Sequence, residues 1–456
     1  MIGFGKGRSD EHARTNALAP EIHRLARPLT RAEDLDPLIE RIGDARYVLL
    51  GEASHGTSEY YTWRAELSKR LIREKGFSFI AVEGDWPDCY RTNRYAKGYP
   101  DSGVSATEVL HAFERWPTWM WANREVVELV EWLRRYNDQR RLPEERRVGF
   151  YGLDVYSLWD SMRAVVDYLE RIDPELAAGA KRAYRCFEPY AEDEQEYARA
   201  TFLVPTSCED EAVRVLRDLR ASVPSFAHDP EAYFDAEQNA LVARNAEFYY
   251  RTMVRGGPTS WNIRDRHMVE TLDRLMAHHR RSNPGAKAIV WEHNTHIGDA
   301  RFTNMASAGM VNVGQLVRQA HEDEGVMLVG FGSYVGRVIA GSEWGAPMDS
   351  MRVPPARPGS WEDLLHGAIG RSAPTAMLVF DDGANVATSG LEEPLLHRAI
   401  GVVYDPDHER FGNYVPTIVP RRYDAFVYID ETHALAPLHM PVKVEGVVPE
   451  TFPSGV

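Results

Sequence analysis

The chain has 456 residues, 44% of them hydrophobic, and a formal net charge of −15. That length can bury a large core and suggests two to four domain-sized units, or one α/β body carrying an insertion. The acidic balance argues against nucleic-acid binding, because such a surface repels phosphate and forgoes the counterion release behind non-specific affinity; it argues equally against docking on an anionic membrane.

The first twenty residues, MIGFGKGRSDEHARTNALAP, contain no apolar core of a secretory signal, and no apolar run nears the ~20 residues that span a bilayer. The three cysteines, Cys89, Cys186 and Cys208, are far apart and odd in number, so they build neither a disulfide framework nor a CxxC metal knuckle. A reducing, cytoplasmic setting is expected.

Along the chain, short β-branched or aromatic runs predict strands at Arg46–Gly51, Phe77–Glu83, Arg147–Leu153, Lys287–Glu292, Val326–Gly332, Ala376–Phe380 and Tyr423–Asp430. Their near-continuous apolar character is that of strands buried on both faces. Helical patterns such as Ser58–Lys75 and Glu125–Arg140 lie between them. This alternation predicts an α/β fold, a central mainly parallel sheet flanked by helices. From about Ser157 to His279 there is almost no strand signal, only helical segments between breakers such as Asp173-Pro174 and Gly256-Gly257-Pro258. The expected organisation is therefore an α/β core in two halves, 1–156 and 281–435, a large helical insertion at 157–280, and a tail at 436–456. Ser342–Pro358, rich in Pro, Gly and Met, reads as a long loop of the kind that is functional or disordered.

Ionisable residues collect where the predicted strands end. The first strand runs into Glu52-Ala53-Ser54-His55-Gly56, the second into Glu83-Gly84-Asp85-Trp86, the third ends at Asp154, and the fourth leads into Glu292-His293-Asn294-Thr295-His296. In open α/β sheets that edge is where ligands bind, and carboxylates converging with imidazoles there offset the cost of buried charge. His55 is the natural general base, since imidazole titrates near neutrality. Glu52, three residues earlier, can orient the ring and stabilise the imidazolium; as an alternative it caps the helix starting near Thr57. His293 and His296 could donate to an oxyanion or ligate a metal; a polar turn is the plainer reading. Glu292 is set aside because strand alternation points it away from the pair.

Other features carry less. Glu52-Ala53-Ser54-His55-Gly56 is half a nucleophile elbow, with Glu52 in place of the first glycine, so Ser54 is not expected to act as a nucleophile. His278-His279-Arg280-Arg281 suits a helix C-terminus. Trp116, Trp119 and Trp121 form an aromatic cluster suited to a core, or to a bulky apolar ligand. There is no Walker A, no GxGxxG after a strand and no HExxH.

Together GEASHGTSEYY, FIAVEGDWPD, Asn262-Ile263-Arg264-Asp265 and WEHNTHIGD resemble, in this order and from about Tyr47 to Tyr428, the erythromycin esterase family. The resemblance implies a hydrolase that opens a macrolide lactone with an activated water, without a serine nucleophile and without a cofactor. Carried over by residue, it makes His55 the base, Glu52 and Arg64 its orienting partners, Glu83 the second-strand carboxylate, and His293 and His296 the second histidine pair. Arg64, nine residues beyond His55, reads on spacing alone as a solvated surface arginine. Trp86, Asp154, Trp119 and Arg264 are assigned to substrate binding. The tracts GTSEYY and GDWPD look more like the broad bacterial branch with unassigned substrates than like the resistance enzymes. The partner expected is a small-molecule ester or lactone; a metallohydrolase using the same cluster and a non-catalytic small-molecule binder are the alternatives.

Overall fold

The apolar runs do form strands. In the computed structural model, which describes residues 17–442 apart from 101, 191–193, 204–206, 222–229 and 381–389, eleven strands are present among the described residues. They are β1 (Ala26–Pro28), β2 (Tyr47–Leu50), β3 (Phe79–Asp85), β4 (Gly149–Asp154), β5 (Ala288–Trp291), β6 (Val326–Ala340), β7 (Asp349–Val353), β8 (Thr375–Val379), β9 (Leu395–Arg398), β10 (Tyr414–Thr417) and β11 (Ala425–Thr432). Nine of them form one sheet in the order β1-β8-β11-β6-β2-β5-β3-β4, with β7 paired to β6; β9 and β10 form a separate hairpin. The six strands from β11 to β4 are mutually parallel, and the antiparallel pairs β1–β8, β8–β11 and β6–β7 lie outside them. The fold is α/β with a mostly parallel sheet.

Side chains alternate across the sheet with period two. Val48, Leu50, Ile80, Val82, Ile289 and Trp291 enter one core, covered by helices Ser58–Lys75 and Arg124–Arg140. Tyr47, Leu49, Phe79, Ala81, Ala288 and Val290 enter the other, covered by helices Pro258–Arg280 and Val313–His321. Residues 158–280 contain helices and no strand among the described residues, with a separate apolar core around Leu158, Phe187, Tyr197, Leu241 and Tyr250.

Two expectations need correction, and a third falls largely outside the described residues. Ser342–Pro358 is not all loop: Asp349–Val353 pairs antiparallel with the far end of β6, which runs eight residues past the apolar core of the predicted strand. Cys186 and Cys208 form a disulfide, because the helices bring together two cysteines that spacing kept apart; the free cysteine among the described residues is buried Cys89. The tail from Ala436 is described to Val442 and docks at its start, Leu438 N–H donating to the Ala122 carbonyl (2.8 Å); residues 443–456 lie outside the described residues. Among the described residues no helix is long and apolar enough to cross a membrane.

Candidate active site

Strand order gathers the site. β5 lies between β2 and β3, so the turn after β5 emerges between the residues that follow β2 and those that end β3, with neighbouring strands about 5 Å apart. Two glycines permit the close packing around Glu52 and His55. A Cβ on Gly51 would lie 2.0 Å from Asn294 Oδ1, and one on Gly56 would lie 1.9 Å from the Ile339 carbonyl oxygen.

His55 Nδ1 is 2.9 Å from Glu52 Oε1, and Arg64 Nη2 donates to Glu52 Oε2 at 2.5 Å. The helix-capping alternative for Glu52 fails: Thr57 holds the N-cap position of helix Ser58–Lys75 without a side-chain hydrogen bond, and the two Glu52 oxygens engage His55 and Arg64. Arg64 is fully buried, its guanidinium 4.4 Å from the Tyr61 ring centroid and 4.6 Å from that of Trp291. It is not a surface residue. Ser54 Oγ is bonded to Thr57 Oγ1, and among the described residues no base engages it.

The His293 and His55 rings face each other, centroids 4.9 Å apart. His293 Nδ1 accepts from the Thr295 backbone N–H (3.3 Å) and lies 2.8 Å from its hydroxyl, which leaves the ring proton on Nε2. That Nε2 is buried without a well-formed hydrogen bond, with the Ala53 carbonyl near it. Burial, then the neighbouring His55, hold the His293 imidazole well below its ordinary pKa, so it is neutral. The turn is clamped: Asn294 N–H donates to the Glu52 carbonyl (2.8 Å) and Arg422 Nη2 to the Asn294 carbonyl (2.6 Å).

A second cluster lies beside the first. Arg264 donates through Nε and Nη2 to the two oxygens of Asp154 (2.9 and 2.7 Å), through Nη2 to Glu83 Oε1 (2.6 Å), and through Nη1 to His296 Nε2 (3.1 Å). His296 Nδ1 then faces Asp265 (3.0 Å), and its ring stacks on Trp261 at 4.4 Å. Glu83 Oε2 accepts the His293 backbone N–H (2.9 Å). Burial works to raise the Glu83 pKa, yet His296, Arg264, His55 and that N–H together hold it below the usual carboxylate range. Burial raises Asp265 against the pull of His296. Glu292, set aside on alternation, is buried with neither oxygen hydrogen-bonded; burial and then Glu83 and Asp265 push its pKa well up.

His55, Glu83, Asp154 and Arg264 line a narrow cleft that opens to solvent. The rest of the wall is Asp85, Asp88, Arg115 and an apolar side of Phe113, Trp116, Pro117, Met120, Trp121, Tyr156, Trp344 and Val402. Trp116 and Trp344 pack with ring centroids 4.6 Å apart, and Trp116 Nε1 donates to the Ala346 carbonyl (3.0 Å). Glu52, Arg64, His293 and His296 support this lining from behind. Two assigned binding residues lie elsewhere. Trp86 is fully buried in the opposite core against Tyr90, Tyr151 and Phe234, its Nε1 donating to Asp235. Trp119 sits behind Trp116, edge-on at 5.4 Å. Asp85, Arg115, Tyr156 and Trp344 were missed. Asp85 carried a signal, two residues beyond Glu83 at a strand end, and Trp344 lay in the Ser342–Pro358 segment read as a loop of functional or disordered kind; Arg115 carried none.

A sheet edge that unites these histidines, carboxylates and buried arginines over an apolar cleft has the build of an α/β hydrolytic site. The erythromycin esterase family model matches residues 72–432, and the chain belongs to that family; it is a hydrolase of it. Erythromycin esterase type II of Escherichia coli is 23% identical over 367 residues, which cover 75% of this chain and 83% of that protein. Two solved structures share the fold: a succinoglycan biosynthesis protein (TM-score 0.74, 22% identity, 94% of this chain and 100% of the other) and a mutant of erythromycin esterase EreC in its open conformation (TM-score 0.62, 15% identity, 89% and 98%).

Proposed function

We propose that this protein hydrolyses an ester or lactone of a bulky, largely apolar small molecule, with His55 as the general base. The observation that carries the reading is the buried Arg64–Glu52–His55 chain opening on the cleft. Glu52 holds Nδ1 of His55, and Nε2 has no hydrogen bond to the described residues, so it is open to a water. His55 takes the proton as that water attacks the acyl carbon, and Glu52 stabilises the imidazolium, the role of the carboxylate in a catalytic triad. Neutral His293 packs its ring against His55 from behind the cleft and backs the base. Arg264 holds Glu83, Asp154 and His296 in place.

The metal-dependent alternative meets an electrostatic obstacle. Arg264 puts a guanidinium at the point where Glu83, Asp154 and His296 converge, the place a cation would take. Among the described residues no group of three His, Cys, Asp or Glu side chains is arranged to hold a metal ion. The Trp116–Trp344 wall favours an apolar acyl or alcohol part; macrolide lactones belong in the test because of the Escherichia coli relative's name. Turnover across a panel of macrolide lactones, smaller lactones and aryl and alkyl esters, beside a His55→Ala control, tests the reading. Hydrolysis by wild type and none by the control supports it, whereas binding without turnover across the panel leaves a small-molecule binder in its place.

A further inference from the structure

The cleft holds four carboxyls, and their surroundings divide them. Glu83 and Asp154 are each fixed by Arg264 through short hydrogen bonds and are almost wholly buried. Asp88 is bonded to Arg91 of its own helix. Asp85 is different. It ends β3, registers with Asp154 across the β3–β4 pair where the ladder slips, and keeps 14% of its side chain exposed in the cleft. Its bonds to Arg115 Nη1 are long, 3.2 and 3.4 Å. Arg115 is held in turn by the Tyr250 hydroxyl (3.0 Å) and the Tyr156 ring (4.9 Å).

Asp85 and His55 both line the cleft; Asp85 ends β3 and His55 lies beyond β2, with β5 between those two strands. We propose that Asp85 is the acid that protonates the departing alcohol, with Arg115 as its positioning residue. This rests on the hydrolytic reading above. Water attacks from the His55 side, forming the acyl C–O bond and giving its proton to His55. The tetrahedral intermediate then collapses, the C–O bond to the alcohol breaks, and that oxygen takes the Asp85 proton. Arg115 stabilises the carboxylate left behind. The His55 proton passes through solvent to reset Asp85, so the net change is ester plus water to acid plus alcohol.

The surroundings of Asp85 keep a proton on it. Burial is the largest influence; Asp154 from β4 and Asp88 from helix Trp86–Lys97 add to it, and Arg115 opposes it, leaving a pKa of about 7. A carboxylic acid with a pKa near the working pH is the efficient proton donor.

The test compares a nitrophenyl and a cyclohexyl ester of one aromatic acid. Nitrophenolate leaves without a proton, whereas cyclohexanolate needs one. Asp85→Asn should lose about 10²–10⁴-fold in kcat/KM on the cyclohexyl ester and at least tenfold less on the nitrophenyl ester. In wild type, kcat/KM for the cyclohexyl ester should fall above pH 7 as Asp85 ionises, and the nitrophenyl profile should lack that limb; this comparison stands even if the variant fails to fold. Equal losses on both esters in a folded variant, or matching profiles for the two esters, overturn the acid assignment and leave the hydrolytic reading intact. A wild-type enzyme inert on both esters and on the wider panel overturns the hydrolytic reading and the acid role with it.

Discussion

Glu52 touches the two residues that decide its role, accepting from Arg64 and holding His55. His55 is buried, bonded to Glu52 and packed on the His293 ring, so His55→Ala removes the base and some packing with it. Turnover per folded molecule should fall about 10²–10⁴-fold; a folded variant with near wild-type rate rules out the base. Glu52→Gln acts differently, because Arg64 is fully buried and Nε and Nη1 have no hydrogen bond among the described residues. With its carboxylate replaced by an amide, the guanidinium is a buried charge without a counter-ion, and breaking such pairs is strongly destabilising. Glu52→Gln should therefore lose both rate and stability, the latter by about 1–3 kcal/mol. Adding Arg64→Met should recover stability and not rate, since the neutral amide still supports an imidazolium poorly. Recovery of rate in the double variant would mean that Glu52 acts only by balancing Arg64.

At the level of elements, what was legible in the sequence was the convergence of strand ends, because parallel strands set their C-termini on one edge and four of the predicted runs led into carboxylates or histidines. Side-chain direction beyond the strands was less legible. Trp86 follows β3, whose ladder with β4 slips between Val82 and Asp85, so counting along the strand does not give the face on which the ring lands. Arg115 arrives from a loop, and the Cys186–Cys208 pair depends on how helices pack; neither has a local signal. The glycines of the first motif did mark a contact. Helix Ser58–Lys75 is tied to β6 through Gly56, whose carbonyl accepts from Ile339 N–H at 3.0 Å, and a Cβ there would overlap the Ile339 backbone. Gly56→Ala should cost about 1–3 kcal/mol or more, with His55 displaced and activity lost. Gly412→Ala, whose Cβ would meet nothing within 4 Å, is the matched control and should stay within about 0.5 kcal/mol; equal Tm values for the two variants would contradict the packing argument.

Over the whole molecule, the sheet edge concentrates negative charge that must be balanced away from water. Glu83, Asp154, Asp265 and Glu292 crowd around one guanidinium, Arg264, and one imidazole, His296. Glu83 and Asp154 accept from Arg264 and Asp265 pairs with His296; Glu292 has no hydrogen-bond partner among the described residues, so of these four it is the one to stay protonated. The stability consequence follows by linkage. Its folded-state pKa lies well above the ordinary 4.5 that the unfolded chain would show, so above that pH the folded state binds more protons than the unfolded one, and stability falls as pH rises through the window up to the folded pKa. Glu83 has the opposite sign, its lowered pKa giving stability above its unfolded value that is lost in acid. The two contributions separate by comparing variant with wild type at each pH. Glu292→Met keeps the volume, removes two buried unsatisfied oxygens and removes the proton uptake. The variant should match or slightly exceed wild type near pH 4, and its advantage in melting temperature should widen steadily towards neutrality. Leaving a buried polar group unsatisfied costs about 1–3 kcal/mol, so the neutral-pH gain should be a few degrees. A difference that stays flat with pH would show that Glu292 does not hold its proton, and a loss of stability at neutral pH would show that its carboxylate is a needed partner of Arg264.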